Sequence, residues 1–149
     1  MPARDFAAEP NSFDVVMCLG ATFALDGFVS AVERIARFAR PGGAVVVGDL
    51  TLRQAPEVKR DERLPNDPVD TAGVVDRHGC DVSAMISSSV ADFERYVSHH
   101  RHATLRWARD NPNHPDRQAV LDKSRADWNH YLRIVRPYVG WTIYVGQKR

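Results

Sequence analysis

The apolar positions of this chain change period as the sequence proceeds. In Phe13-Asp14-Val15-Val16-Met17-Cys18-Leu19-Gly20, the stretch Val15 to Leu19 is an unbroken apolar run closed by a glycine. That pattern predicts a strand buried on both faces. From Phe28 to Arg40 the spacing lengthens, with Phe28, Val29, Val32, Ile35, Ala36 and Ala39 apolar. This is one buried stripe on a helix. Asp26 stands where a helix cap belongs. Arg34, Arg37 and Arg40 crowd the final turns, where the helix dipole favours cations. Pro41-Gly42-Gly43 then stops the helix. Ala44 to Leu50 is a second apolar run. Two buried strands joined by one amphipathic helix predict a parallel, right-handed βαβ unit.

Residues 51–70 hold three prolines and a charged run, Glu57–Arg63, and read as a mobile loop or a lid. Thr71 to His78 predicts a short helix ending at Gly79, and Asp81 to Ser87 a less buried strand. Ser88 or Ser89 opens a long helix to about Asp110, along which Phe93, Tyr96, Val97, His100, Thr104 and Trp107 recur at helical spacing. Asn111-Pro112 ends it. A second long helix runs from about Asp116 to Arg136, striped by Val120, Leu121, Trp128, Tyr131, Leu132 and Val135, and Pro137 breaks it. Gly140 to Gly146 is the last strand, with Trp141, Ile143 and Val145 on one face. The order is β-α-β-loop-α-β-α-α-β in one α/β domain. It divides into a βαβ core at 1–53, a loop and short helix at 54–80, and a strand, two-helix insertion and terminal strand at 81–149.

Composition narrows this further. The 149 residues carry 44% hydrophobic and 26% charged side chains, enough for one packed core. Net charge is +1, and no dense basic track argues for nucleic acid. Cys18 and Cys80 form no CxxC pair, and fit a reducing cytoplasm better than a disulfide scaffold. The first ten residues hold no apolar stretch of a signal peptide, and no run approaches a membrane span. The expectation is a soluble cytoplasmic protein.

At Phe13–Leu50 the sequence resembles the class I S-adenosylmethionine-dependent methyltransferases. The pieces are Phe13-Asp14-Val15-Val16, Cys18-Leu19-Gly20-Ala21-Thr22, and Arg40-Pro41-Gly42-Gly43 before Val45-Val46-Val47. They are similar to that family's fourth strand, the loop after it, the end of the fourth helix and the fifth strand. Met85 to Ser89 with Asp92-Phe93-Glu94-Arg95-Tyr96 looks like the sixth strand and its exit. Gly140-Trp141-Thr142-Ile143-Tyr144-Val145 looks like the seventh, antiparallel strand, inserted between the fifth and sixth. A small-molecule branch has a similar two-helix insertion, matched here by Trp107, Asn111-Pro112 and Tyr131-Leu132-Arg133. The resemblance implies a partial Rossmann-like sheet, mostly parallel with its last strand antiparallel. It also implies S-adenosylmethionine as cofactor and methyl transfer to a small-molecule acceptor. No G-x-G-x-x-G occurs, and the family's glycine loop and ribose-holding acid have no counterpart. Ala3-Arg4-Asp5-Phe6 resembles the tail of the adenine loop, so Asp5 and Phe6 are expected beside cofactor.

In an open parallel sheet, ligands lie at the carboxyl ends of the strands. That selects Cys18, Leu19 and Gly20 for cofactor, Thr22 and Phe23 for acceptor, and Asp49 as a base or orienting carboxylate. Gly20 admits a close ligand or only turns the chain. Asp49 is otherwise a cap or loop hydrogen-bonder. His99 and His102 are three apart on a helix, but no carboxylate or cysteine completes a metal set with them, so no metal is assigned. His100 is a candidate acid–base group. Tyr96, Trp107 and Tyr131 are candidate pocket walls or core aromatics. Without a strand to pair with it, the 14–19 strand is expected to be an open edge that aggregates, is covered by the N-terminal residues, or dimerises. The alternative to an enzyme is an inactive remnant or interaction domain that dimerises through this edge.

Overall fold

The structure is a computed structural model that describes residues 2–54 and 65–149, so the charged run Glu57–Arg63 lies outside the described residues. Strand β1 (Phe13–Leu19), helix α1 (Phe28–Phe38) and strand β2 (Ala39–Leu52) form the parallel βαβ unit that periodicity predicts. Helix α2 (Pro68–Arg77) and strand β3 (Cys80–Ser87) follow. Two long helices, α3 (Val90–Asp110) and α4 (Arg117–His130), come next. A π-helical turn at Tyr131–Val135 and a last turn at Arg136–Tyr138 lead into strand β4 (Val139–Lys148). The sheet order is β1-β2-β4-β3. Strand β4 is antiparallel to both neighbours, so β1, β2 and β3 point one way. The terminal strand is thus inserted between β2 and β3, with the helical insertion preceding it. Among the described residues, no helix is long and apolar enough to cross a membrane.

One core holds the sheet. Ala31, Val32, Ile35 and Ala36 of α1 face Cys18, Val45 and Val47, and Val74 and Val75 of α2 join Cys80 and Tyr144 in the same cluster. Helices α1 and α2 cover this face. The reading of β1 as buried on both sides is corrected: Val15 is 52% and Met17 61% exposed. They alternate with buried Cys18 and half-buried Val16, because among the described residues no helix packs on their side. Across the strands this open face continues from Met17 through Val46 to Val145, and from Leu19 through Gly48 and Ile143 to Ile86.

Two local expectations change and a third is met. Arg40-Pro41-Gly42-Gly43 follows the helix but belongs to β2 as a bulge, since Phe13 pairs with Ala39 and Val15 with Ala44. Gly43 is required there: a Cβ would lie 2.9 Å from the carbonyl oxygens of both Arg40 and Asp14. Asp26 does not cap α1. It adopts a left-handed φ of 62° at the end of a 3-10 turn, Thr22–Leu25, and Gly27 takes the N-cap position. Ser89, one of the two residues expected to open the long helix, does so through a reciprocal capping box with Asp92.

Removing the Ser89 hydroxyl therefore costs stability: Ser89→Ala is expected to lower it by about 1 kcal/mol in urea titration. Burial, the largest cause in both cases, pushes the Cys18 and Cys80 thiols above their ordinary range. Both should react with a disulfide reagent at neutral pH roughly tenfold or more slowly in the folded chain than in urea, because the thiolate is the nucleophile.

Candidate functional site

The carboxyl ends of β1 and β2 meet the start of β4 under one indole. A Cβ on Gly48 would lie 2.9 Å from Trp141 Cζ2, and one on Gly20 would lie 3.1 Å from Trp141 Cη2. The two glycines therefore clear the surface on which the ring lies. Gly20 serves a second purpose, because its φ of +66° turns the chain out of β1 while its N–H donates to the Gly48 carbonyl at 2.9 Å. The close approach that glycine permits at this position is made by the chain's own tryptophan.

Around the indole is a chamber of about 810 Å³, within the range of small-molecule sites. Gly20, Thr22 and Phe23 come from the exit of β1, and Asp49 and Leu50 from β2. Ser88, Asp92, Phe93 and Tyr96 come from the entry to α3, and Trp141 from β4. Buried Thr22 donates its hydroxyl to Asp49 Oδ2, and the Leu50 N–H donates to Oδ1 at 2.7 Å. Each Asp49 oxygen thus holds one donor and keeps capacity for another. Asp92 accepts from the Ser89 hydroxyl and backbone N–H, and these bonds hold its carboxyl below the usual range.

Arg53 fixes the far wall. Its Nε donates to the Val139 carbonyl at 3.0 Å, Nη1 to the Ser88 carbonyl at 3.0 Å, and Nη2 to the Ser89 carbonyl at 3.2 Å. A Cβ on Gly140 would lie 2.8 Å from Nε, so that glycine makes room for the guanidinium. One planar cation thereby joins the end of β2, the entry to α3 and the start of β4. Ser88 N–H also donates to the Trp141 carbonyl at 2.8 Å.

Of the residues chosen from sequence, the chamber brings together Gly20, Thr22, Phe23, Asp49 and Tyr96. Asp5 and Phe6 do not join it. The turn Ala3–Asp5 packs against Thr22–Leu25, while Phe6 meets Phe38 edge-on at 5.6 Å in a groove beside α1. The Cys18 side chain is in the core, and Leu19 is exposed on the open face. His100 lies in the cleft between α3 and α4, edge-on to Tyr96 at 4.6 Å. Trp107 meets His114 at 5.0 Å near the far end of α3. Tyr131 is buried between Phe93 and Trp128, its hydroxyl without a partner. Leu50, at the strand end where ligands are expected, also lines the chamber, whereas sequence reasoning missed Ser88, Asp92, Phe93 and Trp141 as chamber residues. For Asp92 the signal was present, since Ser89-x-x-Asp92 is a capping pattern that fixes a carboxylate at the start of a helix.

Residues 1–47 match the family described as the methyltransferase domain. The whole chain superposes on the crystal structure of a SAM-dependent methyltransferase from Geobacter sulfurreducens in complex with S-adenosyl-L-homocysteine, with a TM-score of 0.86 and 23% identity. It superposes equally on YjhP from Escherichia coli, with a TM-score of 0.87 and 24% identity. This is the class I methyltransferase fold. The resemblance read from Phe13–Leu50 holds at the level of the sheet, including the antiparallel strand inserted between β2 and β3. By sequence, 139 residues are 27% identical to YjhP, covering 88% of this chain and 56% of that protein. All of this chain corresponds to 63% of the Geobacter structure and 64% of the YjhP structure. A relative from Thiobacillus denitrificans, also in complex with S-adenosyl-L-homocysteine, gives 0.85 at 20% identity over the same shares.

Placing a methyl group at Gly48 should push the Trp141 ring off the strand ends. Gly48→Ala is expected to cost about 1–3 kcal/mol by overpacking. The displaced indole should redden the tryptophan emission while far-ultraviolet circular dichroism stays unchanged.

Proposed function

We propose that this chain forms the acceptor side of an S-adenosylmethionine-dependent methyl-transfer site acting on small molecules. The observation that carries the reading is the chamber at the carboxyl ends of two parallel strands, in a fold whose solved relatives hold S-adenosylhomocysteine. When bound, the cofactor supplies an electrophilic methyl on a sulfonium. The residues present fit its methyl-bearing end. Asp49 is a carboxylate and Trp141 and Phe23 are aromatic faces, and both kinds of group favour a cation. Leu19 and Gly20 flank that end of the site. The chamber residues position the acceptor and exclude water, which is most of what an in-line methyl transfer asks of a protein. Asp49 orients the acceptor and takes its proton when one must leave.

The chain spans little over half of the curated relative and under two thirds of the superposed structures. Phe6 lines a separate groove beside α1, and neither Asp5 nor Phe6 lines the chamber. These facts support a site whose nucleoside-holding part lies largely outside the described residues. Calorimetry of the chain with S-adenosylhomocysteine should accordingly give a Kd of about 1 mM or weaker. A micromolar value would show that the chain holds the cofactor unaided.

A second reading, an interaction domain, is favoured by the open face and edge of β1. Phe13, Val15, Met17 and Leu19 are exposed together on a strand that pairs on one side only. An apolar edge of this kind is a template for another chain. On this reading residues 14–19 join two copies. Light scattering should find dimers that become monomers in Val15→Lys/Met17→Lys, with unchanged thermal stability. A wild-type monomer at high concentration would exclude it.

A further inference from the structure

We infer that the chamber selects an acceptor bearing a protonated amine on an aromatic or apolar skeleton. The inference rests on the chamber being the acceptor site and adds the acceptor's chemical class. Its charged and aromatic walls are Asp49, Asp92, Phe23, Phe93, Tyr96 and Trp141, and among the described residues none that lines it is basic. Aromatic faces beside carboxylates attract an ammonium and repel an anion. Phe23 is 81% exposed at the tip of the Thr22–Leu25 turn, and the Thr22–Asp49 hydrogen bond ties that turn to the carboxylate.

The neighbouring groups leave this sign intact. Arg95 stands 3.5 Å from Asp92, but both side chains are largely in water, where such a pair is weak. Arg53 lies behind Ser88 with its donors directed at the Val139, Ser88 and Ser89 oxygens. At the start of α3 the capping box engages the Ser89 and Asp92 N–H groups, and the Asp92 carboxylate already supplies the negative charge that end favours. An anionic acceptor would therefore be desolvated against two carboxylates, with no cation among the described residues lining the chamber to receive it. A neutral hydroxyl could donate to Asp49 but would gain neither the charge attraction of the carboxylates nor that of the aromatic faces.

The step balances. The bound ammonium gives one proton to an Asp49 Oδ, which passes it to solvent. The freed nitrogen lone pair then takes the methyl from a sulfonium donor, forming N–C as C–S breaks with its electron pair returning to sulfur. The product nitrogen is again a cation.

Saturation-transfer NMR and calorimetry of the full chain at neutral pH, without cofactor, test the class with three probes of one shape: 2-phenylethylamine, 2-phenylethanol and 3-phenylpropionate. The amine should bind about tenfold tighter than the alcohol, and the acid more weakly still. Asp49→Asn, checked for folding by thermal denaturation, should lower amine binding to the level of the alcohol and leave the alcohol unchanged. Phe23→Ala, at an exposed position that does not threaten the fold, should weaken the amine about threefold. Equal binding of the three probes, preference for the acid, no amine binding up to about 10 mM, or an unchanged ranking in Asp49→Asn would each overturn the inference. S-adenosylhomocysteine is titrated separately. Amine preference with no effect of S-adenosylhomocysteine on either partner even at about 20 mM, well above the weak affinity expected of the chain alone, would overturn the methyl-transfer reading and leave the ligand class standing.

Discussion

The indole of Trp141, laid across two glycines, is the contact on which the ligand end of this molecule depends. It requires β4 to run antiparallel between β2 and β3, so that the strand's first residues, not its last, arrive where β1 and β2 end. It requires Gly48, because any Cβ there would strike the ring. It also requires Gly20, which turns the chain away under the ring's edge. With the ring in place, the ends of three strands share one apolar floor, and Asp49 and Thr22 stand at its side. A sheet of the same order with a bulkier residue at position 48 would lose that floor.

The Arg53 guanidinium is the second constraint, and it is unusual in its partners. Among the described residues it bonds only oxygens of neutral groups: three backbone carbonyls and the Ser88 hydroxyl. A part-buried cation satisfied by carbonyls holds position through the fixed geometry of its fork, and a lysine would not reproduce that geometry. Its effect is to hold the entry of α3 against the start of β4. Asp92, Phe93 and Tyr96 therefore reach the chamber, although their helix touches the sheet at little else.

The two faces of the sheet differ in what they ask of the rest of the chain. The face under α1 and α2 is closed, with Val45, Val47 and Tyr144 fully buried. The other presents an apolar surface across all four strands, larger in extent than scattered exposed side chains, and surfaces of that kind mark contact with something else. Closure on one side gives the fold its core. Openness on the other leaves Val15, Met17, Leu19 and Ile86 exposed.

The sequence by itself determined the elements. Continuous apolar runs located β1 and β2, and helical spacing located α1 and the two long helices of the insertion, because the apolar stripe of an element is set by its own residues. The family resemblance added the antiparallel terminal strand. Local signals also placed Gly20, Thr22, Phe23 and Asp49 at strand ends, and these do meet in one chamber. Only the tertiary structure decided the remainder. An apolar run such as Val15–Leu19 reads the same whether one face or two are covered, since coverage depends on distant helices. The role of Gly48 depends on a tryptophan 93 residues later in the chain. Pro-Gly-Gly proved to be a bulge against Asp14, and His100 and Tyr131 turned toward the helical hairpin. Each of these outcomes rests on contacts between residues far apart in sequence, for which the local pattern holds no signal.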